Sequence, residues 1–282
     1  MMSWQAWSTP EGWPSVAPSV RWRRQALAEG QDASLWLFNM DAEEADTQAL
    51  TACLNDEEQA RAQRFRQPLH GRRHRVARAM LRHLLGHLCQ RPAASLQWTA
   101  GPHGKPALRF NDSSAGDAHP VCFNLSHSGP WGLLATSFKL ELGVDIEERS
   151  SRERLPEMAH RILSVEEHRH LGTSASPLAP VTHLAPLTPL APLETLGPLG
   201  DELHLLRTWT RKEACLKALG TGLHREMDTL TLEATHARTA NAHLATHGSL
   251  PKLGWADLPL PEDCAAWAAC AWLMPGPHER TA

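Results

Sequence analysis

The chain has no tyrosine among its 282 residues. No step or contact in this protein can use a phenol. It also lacks any run approaching about 20 uncharged apolar residues, the length a membrane-spanning helix needs, and its first residues lack an apolar leader core. Neither a membrane association nor export is therefore expected, and the expected location is cytoplasmic. Six cysteines stand at 53, 89, 122, 215, 264 and 270, with no Cys-x-x-Cys and no paired zinc spacing; reduced, buried thiols are the reading. Seventeen histidines are dispersed rather than clustered. Formal charge is only −3, which gives no global reason to expect nucleic acid as a partner. One local absence is informative: from Gln59 to Asn111 there is no Asp or Glu, yet eleven Arg and Lys residues run from Arg61 to Arg109. Such a block either binds a polyanion or is neutralised by acids elsewhere in the fold.

What is present sharpens in two segments. In Trp209-Thr-Arg-Lys-Glu-Ala-Cys-Leu-Lys-Ala-Leu-Gly220, Leu205, Trp209, Leu216 and Leu219 share one helical face. Lys212, Glu213 and Lys217 fall close to that face, whereas Arg207 and Arg211 point away. Unpaired buried charge is costly, so two ammoniums and a carboxylate beside an apolar stripe mark a site for metal, phosphate or both. In Leu142-Gly-Val-Asp-Ile-Glu147 the β-branched residues favour a strand. Asp145 and Glu147 then project from one face and repel unless a cation or shared proton lies between them. With Glu213 they offer three hard oxygen donors, suited to Mg²⁺. A solvent-facing edge strand is the plainer alternative, and the charged helix weighs against it.

Gly143-Val-Asp-Ile-Glu147 followed by Trp209-x-x-Lys-Glu-Ala-x-x-Lys217 resembles the signature pair of Sfp-type 4′-phosphopantetheinyl transferases. Gly104-Lys-Pro106, Phe123-Asn-Leu-Ser-His-Ser128 and the Leu54 to Arg82 region are similar to further motifs of that family, in the same order. The resemblance implies an α+β fold of two similar α/β halves related by a pseudo-twofold, with coenzyme A between them. It implies an enzyme that moves 4′-phosphopantetheine from coenzyme A to a serine of an apo acyl or peptidyl carrier protein, releasing adenosine 3′,5′-bisphosphate. Asp145, Glu147 and Glu213 would hold Mg²⁺, with Glu213 as general base and Lys217 on the phosphate. Arg61, Arg73, His74, Lys105, Ser126, His127 and Lys212 would contact the coenzyme. For His127, exposure in a turn built from Ser126, Ser128 and Gly129 is the bland alternative. Glu57-Glu58 departs from the family, which often carries a basic residue one turn before Arg61. Two other readings are a Mg²⁺-dependent phosphodiesterase and a non-catalytic coenzyme A or carrier-protein binding module. A monomer is expected.

The organisation expected is an N-terminal extension over 1–33, an N-terminal half over 34–140 and a C-terminal half over 141–282. The extension, with Trp4, Trp7, Trp13 and Trp22 among prolines, either clamps onto the body or is free. Strands are expected at 34–40, 95–99, 121–125, 130–137, 141–147, 228–235 and 263–273, and helices at 43–66, 72–90, 157–171 and 203–219. Between 172 and 200, proline every few residues forbids helix and central strand. This is expected to be a loop, either a neutral insertion or a partner contact.

Overall fold

Alternation between apolar and polar positions lays down two sheets, and two long helices cover their outer faces. The computed structural model describes residues 3–8, 10, 13, 20–28, 31–41, 44–109, 121–149, 155–168, 202–221, 227–233, 240–244 and 253–274. The strands are β1 (Gln5–Ala6), β2 (Val20–Ala28), β3 (Gln31–Asn39), β4 (Gln97–Ala100), β5 (Pro106–Arg109), β6 (Cys122–Ser128), β7 (Trp131–Ser137), β8 (Leu142–Glu148), β9 (Leu230–Glu233), β10 (Ala240–Leu244), β11 (Leu253–Leu258) and β12 (Ala266–Leu273). The helices are α1 (Glu44–Thr51), α2 (Asp56–Gln63), α3 (Pro68–Leu88), α4 (Leu155–Ile162) and α5 (Glu202–Leu219). One sheet has the order β1-β2-β3-β7-β6, the other β8-β12-β11-β10-β9, and β4 and β5 form a hairpin.

Layering follows from which residues alternate inward. Trp36 and Phe38 of β3 and Phe123 of β6 pack with Val76, Met80, Leu81, Leu84 and Leu85 of α3. On the opposite face of that sheet, Leu35, Leu37, Leu133 and Ala135 meet Leu142, Val144, Ile146, Cys270 and Trp272 of the second sheet. Beyond it, Ala214, Cys215 and Ala218 of α5 pack on Ala269, Ala271 and Trp255. Helix, sheet, sheet and helix thus stack in order, and the α+β class with two matching halves is what the structure shows.

Small residues let α5 come close to its sheet. A Cβ at Gly143 would overlap the Ala214 carbonyl and the Ala218 amide of α5. Glycine there is the condition for α5 to lie directly over β8.

The structure differs from the sequence expectations in several places. The 1–33 segment supplies β1 and β2, with β2 in antiparallel register with β3. Arg21, Arg23 and Arg24 hide that strand from a hydrophobic pattern. Arg23 is buried, with its guanidinium on Gln25 Oε1 at 2.9 Å and the Pro259 carbonyl at 3.4 Å. The N-terminal tryptophans clamp: Trp4 Nε1 donates to the Pro259 carbonyl at 2.6 Å, and Trp7 and Trp13 lie against His87 and His83 of α3. The helix expected over 43–66 is two helices. The second is started by Asn55, whose side chain accepts from the Glu58 amide while Glu58 reaches back to the Asn55 amide. Strands β5, β10 and β11 are additional, and the 172–200 loop lies outside the described residues.

Candidate active site

The site grows from β8 and α5. Asp145 and Glu147 stand on the β8 face that carries Gly143, the face that α5 covers. Trp209, Glu213 and Lys217 recur every fourth residue and so line one face of α5. Lys217 Nζ donates to Asp145 Oδ1 at 2.6 Å, and Trp209 Nε1 donates to Glu147 Oε1 at 3.2 Å. Glu213 sits on α5 between these two contact points. All three carboxylates are nearly buried, at 3%, 8% and 8% exposure for Asp145, Glu147 and Glu213. Asp145 Oδ2 is buried without a hydrogen-bond partner among the described residues, an arrangement that buried carboxylates ordinarily avoid. Among the described residues no three His, Cys, Asp or Glu side chains converge closely enough to enclose an ion.

The strand β6 approaches β8 from the other sheet. Ser126 Oγ donates to Asp145 Oδ1 at 2.8 Å and accepts from Lys217 Nζ at 3.0 Å. Ser128 Oγ donates to Glu147 Oε2 at 3.0 Å. His127, between them, faces outward and is exposed. Crowding by the surrounding chain, and then the charge of Lys217, hold its pKa below the ordinary histidine value.

His74 of α3 completes this neighbourhood. Burial, then the charges of Arg61, Arg78 and His127, push its pKa down to about 4. Its ring rests against Phe65 with centroids 5.2 Å apart, and its Nε2 is buried without a partner among the described residues. Arg61 is exposed on α2. Arg61, His74 and His127 therefore lie together beside the Ser126 to Ser128 segment. Arg73 is instead committed to Asp41 through two hydrogen bonds of 2.7 and 2.6 Å. That pair raises the Arg73 pKa and, against the effect of burial, lowers that of Asp41.

Much of the acid-free block is neutralised from outside it. Arg78 and Arg82 both bond Glu58, which also accepts from Trp98 Nε1 at 3.1 Å. Burial pushes the Glu58 carboxyl up, but Arg82 and Arg78 more than offset it, leaving its pKa below normal. Glu58 is thus the centre of a buried network.

Counting protons separates the lysines. An ammonium has three to donate. Lys212 is fully buried and gives them to Glu167 Oε2 at 2.6 Å, the Ile162 carbonyl at 2.6 Å and the Met227 carbonyl at 3.1 Å. Burial outweighs Glu167 and lowers its pKa. Lys105 gives its protons to Glu141 Oε2, the Leu142 carbonyl and the Ala218 carbonyl at 2.6, 3.0 and 3.4 Å. That places it at the Leu142 end of β8, whereas the histidines gather near the Ser128 end. Among the described residues Lys217 has two partners, Asp145 and Ser126, which leaves one N–H uncommitted. Arg207 and Arg211 do point away from the site, onto Asp257 of β11.

Sequence reasoning did not name Glu167, and it quoted Asn124, Ser128 and Trp209 within motifs without giving them a role in the site. The pattern Ser164-x-x-Glu167 was a legible signal for the first: Glu167 N donates to Ser164 Oγ at 3.2 Å, and Ser164 N to Glu167 Oε2 at 2.7 Å.

A carboxylate-lined seam with a lysine reaching in and histidines beside it can gather and neutralise phosphate charge. Residues 141–266 match the 4′-phosphopantetheinyl transferase superfamily, and residues 40–139 match the N-terminal region of 4′-phosphopantetheinyl transferases. The chain belongs to that superfamily: it is a transferase that moves 4′-phosphopantetheine from coenzyme A to carrier proteins. It is 29% identical over 246 residues to the 4′-phosphopantetheinyl transferase HetI of a Nostoc species, covering 85% of this chain and 88% of that protein. It is 26% identical over 191 residues to the 4′-phosphopantetheinyl transferase psf-1 of Bacillus pumilus, covering 68% of each. A putative 4′-phosphopantetheinyl transferase of Synechocystis, slr0495, is 29% identical over 174 residues, covering 61% of this chain and 59% of that protein. Neither the phosphodiesterase nor the binding-only reading is favoured. No described helix is long and apolar enough to cross a membrane.

Proposed function

We propose that transfer takes place at the seam between β8 and α5, with Asp145, Glu147 and Glu213 as the acidic set and Lys217 as the cation on the transferred phosphate. The observation that carries this is the spare N–H of Lys217, held by Asp145 and Ser126 on the face that Glu213 shares. In the reaction, a carrier serine oxygen forms a bond to the phosphorus of the pantetheine arm. The bond from that phosphorus to the bridging oxygen breaks, and adenosine 3′,5′-bisphosphate leaves. Glu213 takes the serine proton, as a carboxylate on the α5 face that lines the seam is placed to do. Lys217 neutralises charge that grows on the phosphate oxygens.

The chemistry of the donors suits a hard divalent cation, although the three carboxylates do not converge on one point: all are hard oxygen donors along the seam, and the buried Asp145 Oδ2 has no partner among the described residues. Asp145, Glu147 and Glu213 would hold Mg²⁺, which when bound supplies Lewis acidity at the pyrophosphate. Arg61, His74 and His127 would receive the nucleotide-end phosphates. Here the His74 Nε2 without a partner supports the reading, because a phosphate oxygen would give it one. Lys105 and Lys212 have their protons committed elsewhere, and Arg73 is bound to Asp41. The acceptor is an acyl or peptidyl carrier protein, and the enzyme acts as a monomer in the cytoplasm.

Asp145→Ala and Glu213→Ala test the assignment. Each is expected to lower kcat by about a hundred- to a thousandfold, the scale of losing a transition-state contact, with circular dichroism unchanged. Transfer at the wild-type rate by either variant would refute it.

A further inference from the structure

The two sheets stack face to face, and their end strands β6 and β8 lie against each other without a backbone ladder: among the described residues β6 pairs with β7 alone, and β8 with β12 alone. Such edges normally carry unsatisfied amides. Here alternate side chains of β6 satisfy two of them. Asn124 Oδ1 accepts from the Val144 amide at 2.8 Å, and Ser128 Oγ accepts from the Glu148 amide at 3.1 Å. The same strand face also reaches the carboxylates, through Ser126 to Asp145 and Ser128 to Glu147.

We propose that Asn124, Ser126 and Ser128 form a polar ladder that joins the two sheets, and that its two serines are positioning residues for the β8 carboxylates. A hydroxyl has one proton. In both serines it is spent on a carboxylate, so neither is left to donate to a coenzyme phosphate. Ser126 is thereby reassigned from coenzyme contact to positioning, and Ser128 and Asn124 gain a role. The period-two spacing matters, because a strand sends residues 124, 126 and 128 to one side and His127 to the other. One strand can then grip the carboxylates with alternate residues while presenting His127 outward. The second part of the proposal rests on the reading that Asp145 and Glu147 hold a divalent ion.

The test compares Ser128→Ala, Ser128→Thr and Asn124→Ala in the full chain. Mg²⁺ is titrated calorimetrically into the coenzyme A complex without carrier, and KM for coenzyme A and Tm are measured alongside. Ser128→Ala is expected to weaken Mg²⁺ binding by about tenfold, the lower end for loss of a ligand-orienting contact, with KM for coenzyme A within twofold. Ser128→Thr, which keeps the hydroxyl, should restore Mg²⁺ binding. Asn124→Ala should lower Tm by several degrees with Mg²⁺ binding unchanged, since it unseals the Val144 amide but touches no carboxylate. A raised KM for coenzyme A with unaltered Mg²⁺ binding in Ser128→Ala would overturn the proposal, as would equal weakening of Mg²⁺ binding in Asn124→Ala. If wild type itself binds no Mg²⁺ in the coenzyme complex, the metal reading falls. An unchanged Tm in Asn124→Ala would separately overturn the joining role.

Discussion

Replacing Lys212 by methionine keeps its length and removes its charge, at a position where the ammonium is fully buried. Glu167, at 6% side-chain exposure, is then left as a buried carboxylate without its cation. Removing one partner of a buried pair typically costs about 3–5 kcal/mol. Glu167 keeps its hydrogen bonds from the Ser164 and Leu232 amides, which favours the lower end, about 3 kcal/mol. For a chain of this size 1 kcal/mol moves Tm by about 2–4 °C, so the fall should be roughly 6–12 °C. Thermal unfolding by circular dichroism measures it. KM for coenzyme A, taken well below the transition, should stay within twofold. Adding Glu167→Gln should recover part of the loss, because the stranded charge is gone. A Tm within about 2 °C of wild type, together with a large rise in KM, would refute the reasoning and return Lys212 to the coenzyme.

Three further outcomes follow from the same geometry. Gly143→Ala should destabilise the protein by about 1–3 kcal/mol, as overpacking does, and lower transfer by shifting α5; unchanged unfolding and kinetics would show that α5 does not press on β8. Lys105→Ala should cost no more than about 1 kcal/mol, as for a half-exposed pair, and leave KM for coenzyme A unaltered; a raised KM in calorimetry or kinetics would place it on the nucleotide. His74 contributes to the pH dependence. The folded ring has its pKa lowered from 6.5 to about 4, so between those values the unfolded chain binds the extra proton. Its contribution is complete above pH 6.5 and is lost as pH falls toward 4. Discounted for partial solvent exposure, this is about 1 kcal/mol between pH 7 and pH 5. His74→Gln should flatten that part of the urea-unfolding profile, and an unaltered slope would contradict it.

The class of fold and the core of the site were legible because their signals are local. Val144 and Ile146 alternate with Asp145 and Glu147, and a strand turns that alternation directly into one acidic face. The four-residue spacing of Trp209, Glu213 and Lys217 does the same on a helix. The roles of the other two site lysines were not legible, because an ammonium's partners are set by tertiary packing. Lys212 sits beside Glu213 in sequence, yet pairs with Glu167, forty-five residues away along the chain. The arginine block misled in part for a similar reason: its buried members answer to Glu58 and Asp41, which lie just outside it. β2 was missed because its arginines break the apolar alternation, and their partners Gln25, Asp263 and Pro259 become visible only in the fold. The polar face of β6 was readable as Asn-x-Ser-x-Ser, but nothing in one strand says that a second edge lies opposite.

The most direct test of the account is intact-protein mass spectrometry of apo carrier domains incubated with this protein, coenzyme A and Mg²⁺. The expected result is the gain of one phosphopantetheine arm on the carrier, abolished by chelator and by Glu213→Ala. An unmodified mass on every carrier, with coenzyme A demonstrably bound, would contradict it.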